Sequence, residues 1–110
     1  MQQELFNLTN SAILFVNTSG QLIELPSRGY ATCEVEARTT SEVDGIPVRT
    51  KTYKPVKGLP PQGSDQTRLY IVDRAVAEAL RDQRWDIVIA TDSEVDEKTQ
   101  STIFRTLTHI

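Results

Sequence analysis

The residues best suited to chemistry form one run, Arg49-Thr-Lys-Thr-Tyr-Lys-Pro-Val-Lys57, with four cations, one aromatic ring and no acid. On an extended strand alternate side chains share a face, so Arg49, Lys51 and Tyr53 project together. Two cations beside a ring can clamp a phosphate and stack a base. Arg28, Lys54 and Lys57 extend this cationic set, and the loop 56–67 borders it. The competing reading is a charged strand edge, protected against aggregation and paired with Glu34 and Glu36.

No other set of side chains reaches the same standard. His109 is the sole histidine and is next to last in the chain, where side chains are poorly held. A Ser/His/Asp or Cys/His site needs that base fixed in place. Cys33 alternates with Val35 and Ala37 and reads as a buried free thiol. Asp92, Glu94, Asp96 and Glu97 resemble the start of a calcium loop, but the glycine after the third ligand and the terminal glutamate are absent. That segment reads as a solvated acidic loop. Gly58-Leu-Pro-Pro-Gln-Gly-Ser-Asp65 has two glycines without a Walker lysine, which suits a surface loop better than a phosphate cradle. The sequence therefore selects no catalytic residue, no metal ligand and no cofactor.

The elements that must position these residues centre on Arg68–Ala90. Leu69 to Val72 reads as a buried strand. Asp73 stands where a helix cap would accept a backbone hydrogen bond. Val72, Ala75, Val76, Ala79 and Leu80 then recur with the period of a helix lying on a sheet, over Asp73–Gln83. Asp86–Ala90 reads as a second strand. Both a right-handed β-α-β crossover and a helix between antiparallel strands fit this pattern. Asp73 would repel an anion at the start of the helix.

Around this unit, Ala12–Val16 and Gln21–Leu25 read as a hairpin. Ala31 to Thr39 alternates, and Val43-Asp-Gly-Ile46 carries the strongest hairpin signature in the chain. A two-residue turn there would place Val35, Ala37, Thr39 and Val43 with Ile46, Val48, Thr50 and Thr52. Glu34, Glu36 and Arg38 would then share the other face with Arg49, Lys51 and Tyr53. Thr91–Lys98 reads as polar loop and Ser101–His109 as a last strand. The expected fold is α+β: a mostly antiparallel sheet of about six strands with one principal helix on one face. The expected inward set is Ile13, Phe15, Leu22, Val35, Val48, Ile71, Val76, Leu80, Ile87 and Ile89.

At 110 residues the chain suits one domain, with residues 1–10 as a polar lead-in. A single cysteine fits a reducing, cytoplasmic setting. The N-terminus shows no signal pattern and no apolar run is long enough to span a bilayer, so no membrane partner is expected. A formal net charge of −3 argues against generic nucleic-acid binding.

Leu25-Pro-Ser-Arg-Gly-Tyr-Ala31, Val43-Asp-Gly-Ile-Pro-Val-Arg49, Gly58-Leu-Pro-Pro61 and Tyr70-Ile-Val with Val76-Ala-Glu-Ala-Leu80 occur in a telling order. In that order they resemble a family of small uncharacterised bacterial and phage proteins, over roughly residues 10 to 90. Those proteins usually close with an Asn-Gly or similar turn, whereas this chain has Asp96-Glu-Lys-Thr-Gln-Ser101. The resemblance implies a phage or mobile-element origin and no particular activity. The functional expectation is a non-enzymatic binding protein that captures a small anionic ligand, such as a nucleotide signal, or inhibits a host defence factor. The alternatives are a protein–protein adaptor or minor virion component, and a small metal-assisted hydrolase built on the acidic loop. Edges of a small sheet also favour a homo-oligomer.

Overall fold

The β-branched runs of this chain become strands, and one short helix punctuates them. The computed structural model describes residues 4–60 and 68–110. In chain order it contains β1 (Glu4–Asn7), β2 (Ile13–Val16), β3 (Leu22–Leu25), β4 (Val35–Val43), β5 (Ile46–Tyr53), β6 (Arg68–Ile71), α1 (Arg74–Ala79), β7 (Ile87–Val95) and β8 (Thr102–Thr108). Six strands form one sheet in the order β1-β6-β7-β8-β2-β3, and β4 with β5 makes a separate two-stranded sheet.

The α+β expectation is overturned in both its parts. Strand accounts for 52% of the structure and helix for 6%. The expected eleven-residue helix shrinks to the six residues of α1, which bury only Val76 and Ala77. Leu80 leaves the helical region and Asp82 has a positive φ of 63°, so the chain turns before Gln83. The reason lies in what already covers the sheet. Ala31, Cys33, Val56 and Leu59 pack on the same apolar cluster as Val76 and Ala77, so one helical turn completes the cover. Nor is the six-stranded sheet mostly antiparallel. β1 with β6, β6 with β7, and β2 with β8 are parallel, while β2 with β3 and β7 with β8 are antiparallel.

The sheet rolls nearly shut. Its two outer strands, β1 and β3, come together where Asn7 bridges Ser27, and Arg28 N–H donates to the Asn7 carbonyl at 2.8 Å. Asn7 is only 1% exposed. Its amide donates to the carbonyls of Ser11 and Leu25, while its Oδ1 accepts from the backbone N–H and hydroxyl of Thr9. Each of these groups would lose its partner at this part-buried seam, so one asparagine satisfies the closure. β1 lies in the segment read from sequence as a lead-in.

Two apolar clusters result. Leu8, Tyr70, Val72, Ile87 and Ile89 lie under α1, and Ile13, Ile71 and Val88 pack with Phe15 and Phe104 on the other side. Of the expected inward set, Ile13, Ile71, Val76, Ile87 and Ile89 are buried, whereas Leu22, Val35 and Val48 are exposed. The last two belong to the β4–β5 hairpin, which stands clear of the rolled sheet. The Cα radius of gyration is accordingly 16.7 Å, against roughly 13 Å for a compact chain of this length. β7 also runs through Val95, so the segment read as an acidic loop is largely strand.

Candidate functional site: the cationic face of the hairpin

Asp44 and Gly45 take positive φ values of 53° and 80°, the geometry that a two-residue hairpin turn requires. Val43 pairs with Ile46 and Ser41 with Val48, as the turn dictates. The ladder then slips at Thr40: Thr39 pairs with Arg49, Ala37 with Lys51 and Val35 with Tyr53. The Thr40 hydroxyl sits 3.0 Å from that of Thr50.

This bulge exchanges the faces expected from sequence. Directly paired residues project to the same side. Arg49, Lys51 and Tyr53 therefore stand with Thr39, Ala37 and Val35, not with Glu36 and Arg38. The small residues opposite Arg49 and Lys51 leave both cations uncovered. Glu34 and Glu36 occupy the other face, where Lys54 approaches them at 3.1 Å and 3.4 Å and Arg38 approaches Glu36 at 3.4 Å. Glu42, paired with Pro47, stands on the cationic face nearer the turn and makes no ion pair with Arg49. The hydrogen bonds that the Lys54 ammonium donates to Glu34 and Glu36 hold its pKa above the usual value.

Other cations also find partners: Arg74 with Glu78, Arg84 with Asp86, and Arg105 with Glu94. Among the described residues, Arg49 and Lys51 make no ion pair. Alternate residues on a strand lie roughly 7 Å apart, a spacing at which two cationic side chains can converge on one phosphate-sized anion.

The remaining candidates divide. The Tyr53 hydroxyl donates to Glu78 Oε2 at 2.7 Å, fixing the base of the hairpin to α1. That bond to a carboxylate raises the Tyr53 pKa. Tyr53 is thus an anchor rather than a free stacking surface. Lys54 and Lys57 line a hollow of about 400 Å³ with Thr32, Glu34 and Pro55. Lys57 is held there by paired backbone bonds to Thr32, both 2.9 Å. Arg28 lies elsewhere, over the ring of Phe6 at 5.2 Å. Of the loop 56–67, residues 61–67 lie outside the described structure, as does most of the glycine-containing segment 58–65.

His109 follows β8, and the Cys33 thiol donates to the carbonyl of Lys54 at 3.1 Å. Among the described residues, no group of three or more His, Cys, Asp or Glu could hold a metal ion. Three carboxylates of the acidic segment are already engaged: Asp92 accepts from Thr106 and Glu94 pairs with Arg105, both on β8, and Asp96 accepts from Thr99 and from the backbone of Lys98. No helix among the described residues is long and apolar enough to cross a membrane.

Sequence reasoning missed the second concave feature, a cavity of about 670 Å³ between the β1–β2 loop, the end of β6 and the start of β8. Its one local signal is Asp73, which stands at the cap of α1 yet makes no side-chain cap hydrogen bond. Compared with family models, curated proteins and solved structures, the chain matches none.

Proposed function

We propose that the protein is a non-catalytic binding module that captures a small anionic ligand on the hairpin, with Arg49 and Lys51 as its principal contacts. One observation carries this reading: these two cations share an exposed face that the Thr40 bulge has turned away from Glu34 and Glu36. A surface pair of cations engaged in no ion pair is attractive to a phosphate or carboxylate and costs little to desolvate. A phosphorylated nucleotide fits the charge, and a nucleotide signal or a host defence factor presenting an acidic surface would be the biological counterpart. The family resemblance supports a phage or mobile-element setting.

Calorimetry against linear and cyclic nucleotides tests this directly. Binding that weakens at least tenfold in both Arg49→Ala and Lys51→Ala, and that falls with added salt, is the expected result. Absence of heat with every nucleotide, or binding indifferent to both substitutions, discards the reading. A second reading, a protein–protein adaptor, draws on the hairpin tip. Val43 and Ile46 there are 59% and 66% exposed and share a face with Val48. Apolar area of that kind often marks a contact surface.

A further inference from the structure

The 670 Å³ cavity falls within the size range of small-molecule sites. Its floor is apolar, formed by Leu14, Ala90 and Phe104 over the buried Ile13 and Ile71, and its rim carries the hydroxyls of Ser11, Ser101 and Thr102 with Arg74 beside Asp73. The β1–β2 loop forms one wall and is held rigid from beneath. Buried Asn7 binds the Ser11 carbonyl at 2.8 Å and the Thr9 backbone N–H at 2.9 Å, and the Ser27 hydroxyl binds the Thr9 carbonyl at 2.6 Å. A wall fixed in this way presents a preformed surface and loses little freedom when a ligand arrives.

The cavity opens at the carboxyl end of the parallel strand β6, where α/β sheets commonly bind ligands. At that point stands Asp73, an acceptor-only group whose carboxylate is not spent on capping α1. Its charge, with burial and a hydrogen bond from the Tyr30 hydroxyl, raises the pKa of Tyr30, so one acceptor site of the carboxylate faces that hydroxyl. A carboxylate has about four acceptor sites, so room remains for further donors. Its negative charge disfavours a phosphate at the same spot.

We infer that this cavity is a nucleoside site: a flat heterocycle lies on the floor of Leu14, Ala90 and Phe104, and the vicinal hydroxyls of the sugar donate to Asp73. A carboxylate is a suitable acceptor for the paired hydroxyls of a ribose, a contact that dinucleotide-binding folds make on a different architecture. The ring gains from apolar burial, and the rim hydroxyls serve its edge nitrogens. This inference stands apart from the hairpin reading, because it requires no phosphate and no contact with Arg49 or Lys51.

Titration of the ¹⁵N-labelled full chain with adenosine tests it, with 2′,3′-dideoxyadenosine as the matched probe lacking the diol. Adenosine should shift the amide signals of Ser11, Ala90 and Thr102 and leave those of Arg49 and Lys51 in place. The dideoxy probe should bind at least tenfold more weakly. Asp73→Asn should weaken adenosine to a similar extent at an unchanged melting temperature, and Ala90→Leu should abolish binding by filling the floor. No shift at these amides with millimolar adenosine overturns the inference, as does equal affinity for the two probes. The ligand comparison decides the matter even if a substituted chain fails to fold.

Discussion

The side-chain amide of Asn7 donates to the main-chain carbonyl of Leu25 at 2.9 Å, joining β1 to the end of β3 across the seam of the rolled sheet. These two strands sit at opposite ends of the strand order, so this contact helps turn an open sheet into a nearly closed one. Closure removes edges that would otherwise invite pairing with other chains.

Replacing Asn7 by alanine should therefore be among the costlier single changes. It removes the partner of the carbonyls of Ser11 and Leu25 and of the N–H of Thr9 at a part-buried seam. Each stranded group costs ~1–3 kcal/mol, and partial access of water should limit the total to about 3 kcal/mol. Urea unfolding reads this as a lower midpoint. A midpoint within error of the parent would show that the seam is not closed by this residue.

Tyr53 gives a prediction about pH. Its hydroxyl donates to Glu78, and its pKa lies above the ordinary value of 10.0 because ionisation would break that hydrogen bond and then place two negative charges together. The folded value exceeds the unfolded one, so the stabilisation is complete below about pH 10 and is lost as the pH rises through the raised value. Lys54, raised by Glu34 and Glu36, loses its contribution in the same alkaline direction. Denaturant midpoints should fall between about pH 9 and 11. Tyr53→Phe should start lower at neutral pH and fall less steeply across that window. An identical pH profile in the two proteins would remove the Tyr53–Glu78 contact from the account.

How far this architecture could be read in advance depended on whether local sequence decides the outcome. Asp44-Gly45 requires positive φ at both central positions, and that requirement fixed the turn and the first pairs of β4 with β5. Nothing in Thr39-Thr40-Ser41 distinguishes a bulged residue from a regular one, so the face carrying Arg49 and Lys51 was assigned the wrong neighbours. The apolar period after Asp73 was real, yet it overstated α1, because helix length is set by the space that Ala31, Cys33, Val56 and Leu59 leave open. Parallel pairing of β1 with β6 joins residues more than sixty positions apart and leaves no local trace. The cavity escaped for the same reason: Ser11, Asp73 and Thr102 come together only through strand order.

Gly58 should tolerate no side chain. Its φ is +81°, and an added Cβ would lie 2.4 Å from the Tyr30 carbonyl oxygen. Gly58→Ala combines left-handed strain of about 1 kcal/mol with the displacement of a backbone pair, for a total of about 3 kcal/mol. Gly20 offers the matched control, since its φ is +79° with nothing within 4 Å of the added atom. Gly20→Ala should cost only the strain, about 1 kcal/mol. Equal melting temperatures for the two variants would show that the close approach of Gly58 to Tyr30 yields freely.

Arg84 and Asp86 make the most deeply set ion pair of the described residues, with side chains 14% and 1% exposed. The contact is bidentate, at 2.9 Å and 2.7 Å, and the same guanidinium donates to the Pro60 carbonyl at 2.8 Å and lies 5.9 Å from the Tyr70 ring centre. Asp86 in turn sets the parallel pairing of the sheet, since its carbonyl accepts from Tyr70 N–H at 2.8 Å. Removing Arg84 leaves a buried carboxylate without a counter-charge, which typically costs ~3–5 kcal/mol. Arg84→Met should therefore destabilise by about 4 kcal/mol. Arg84→Met with Asp86→Asn should recover part of that loss, because the orphaned charge is gone even though the Pro60 bond is not restored. Denaturant unfolding of the two single variants and the double variant closes the cycle. Losses that simply add would mean that the two residues stabilise the fold independently, and the bridge from Pro60 to β7 would then carry no coupling.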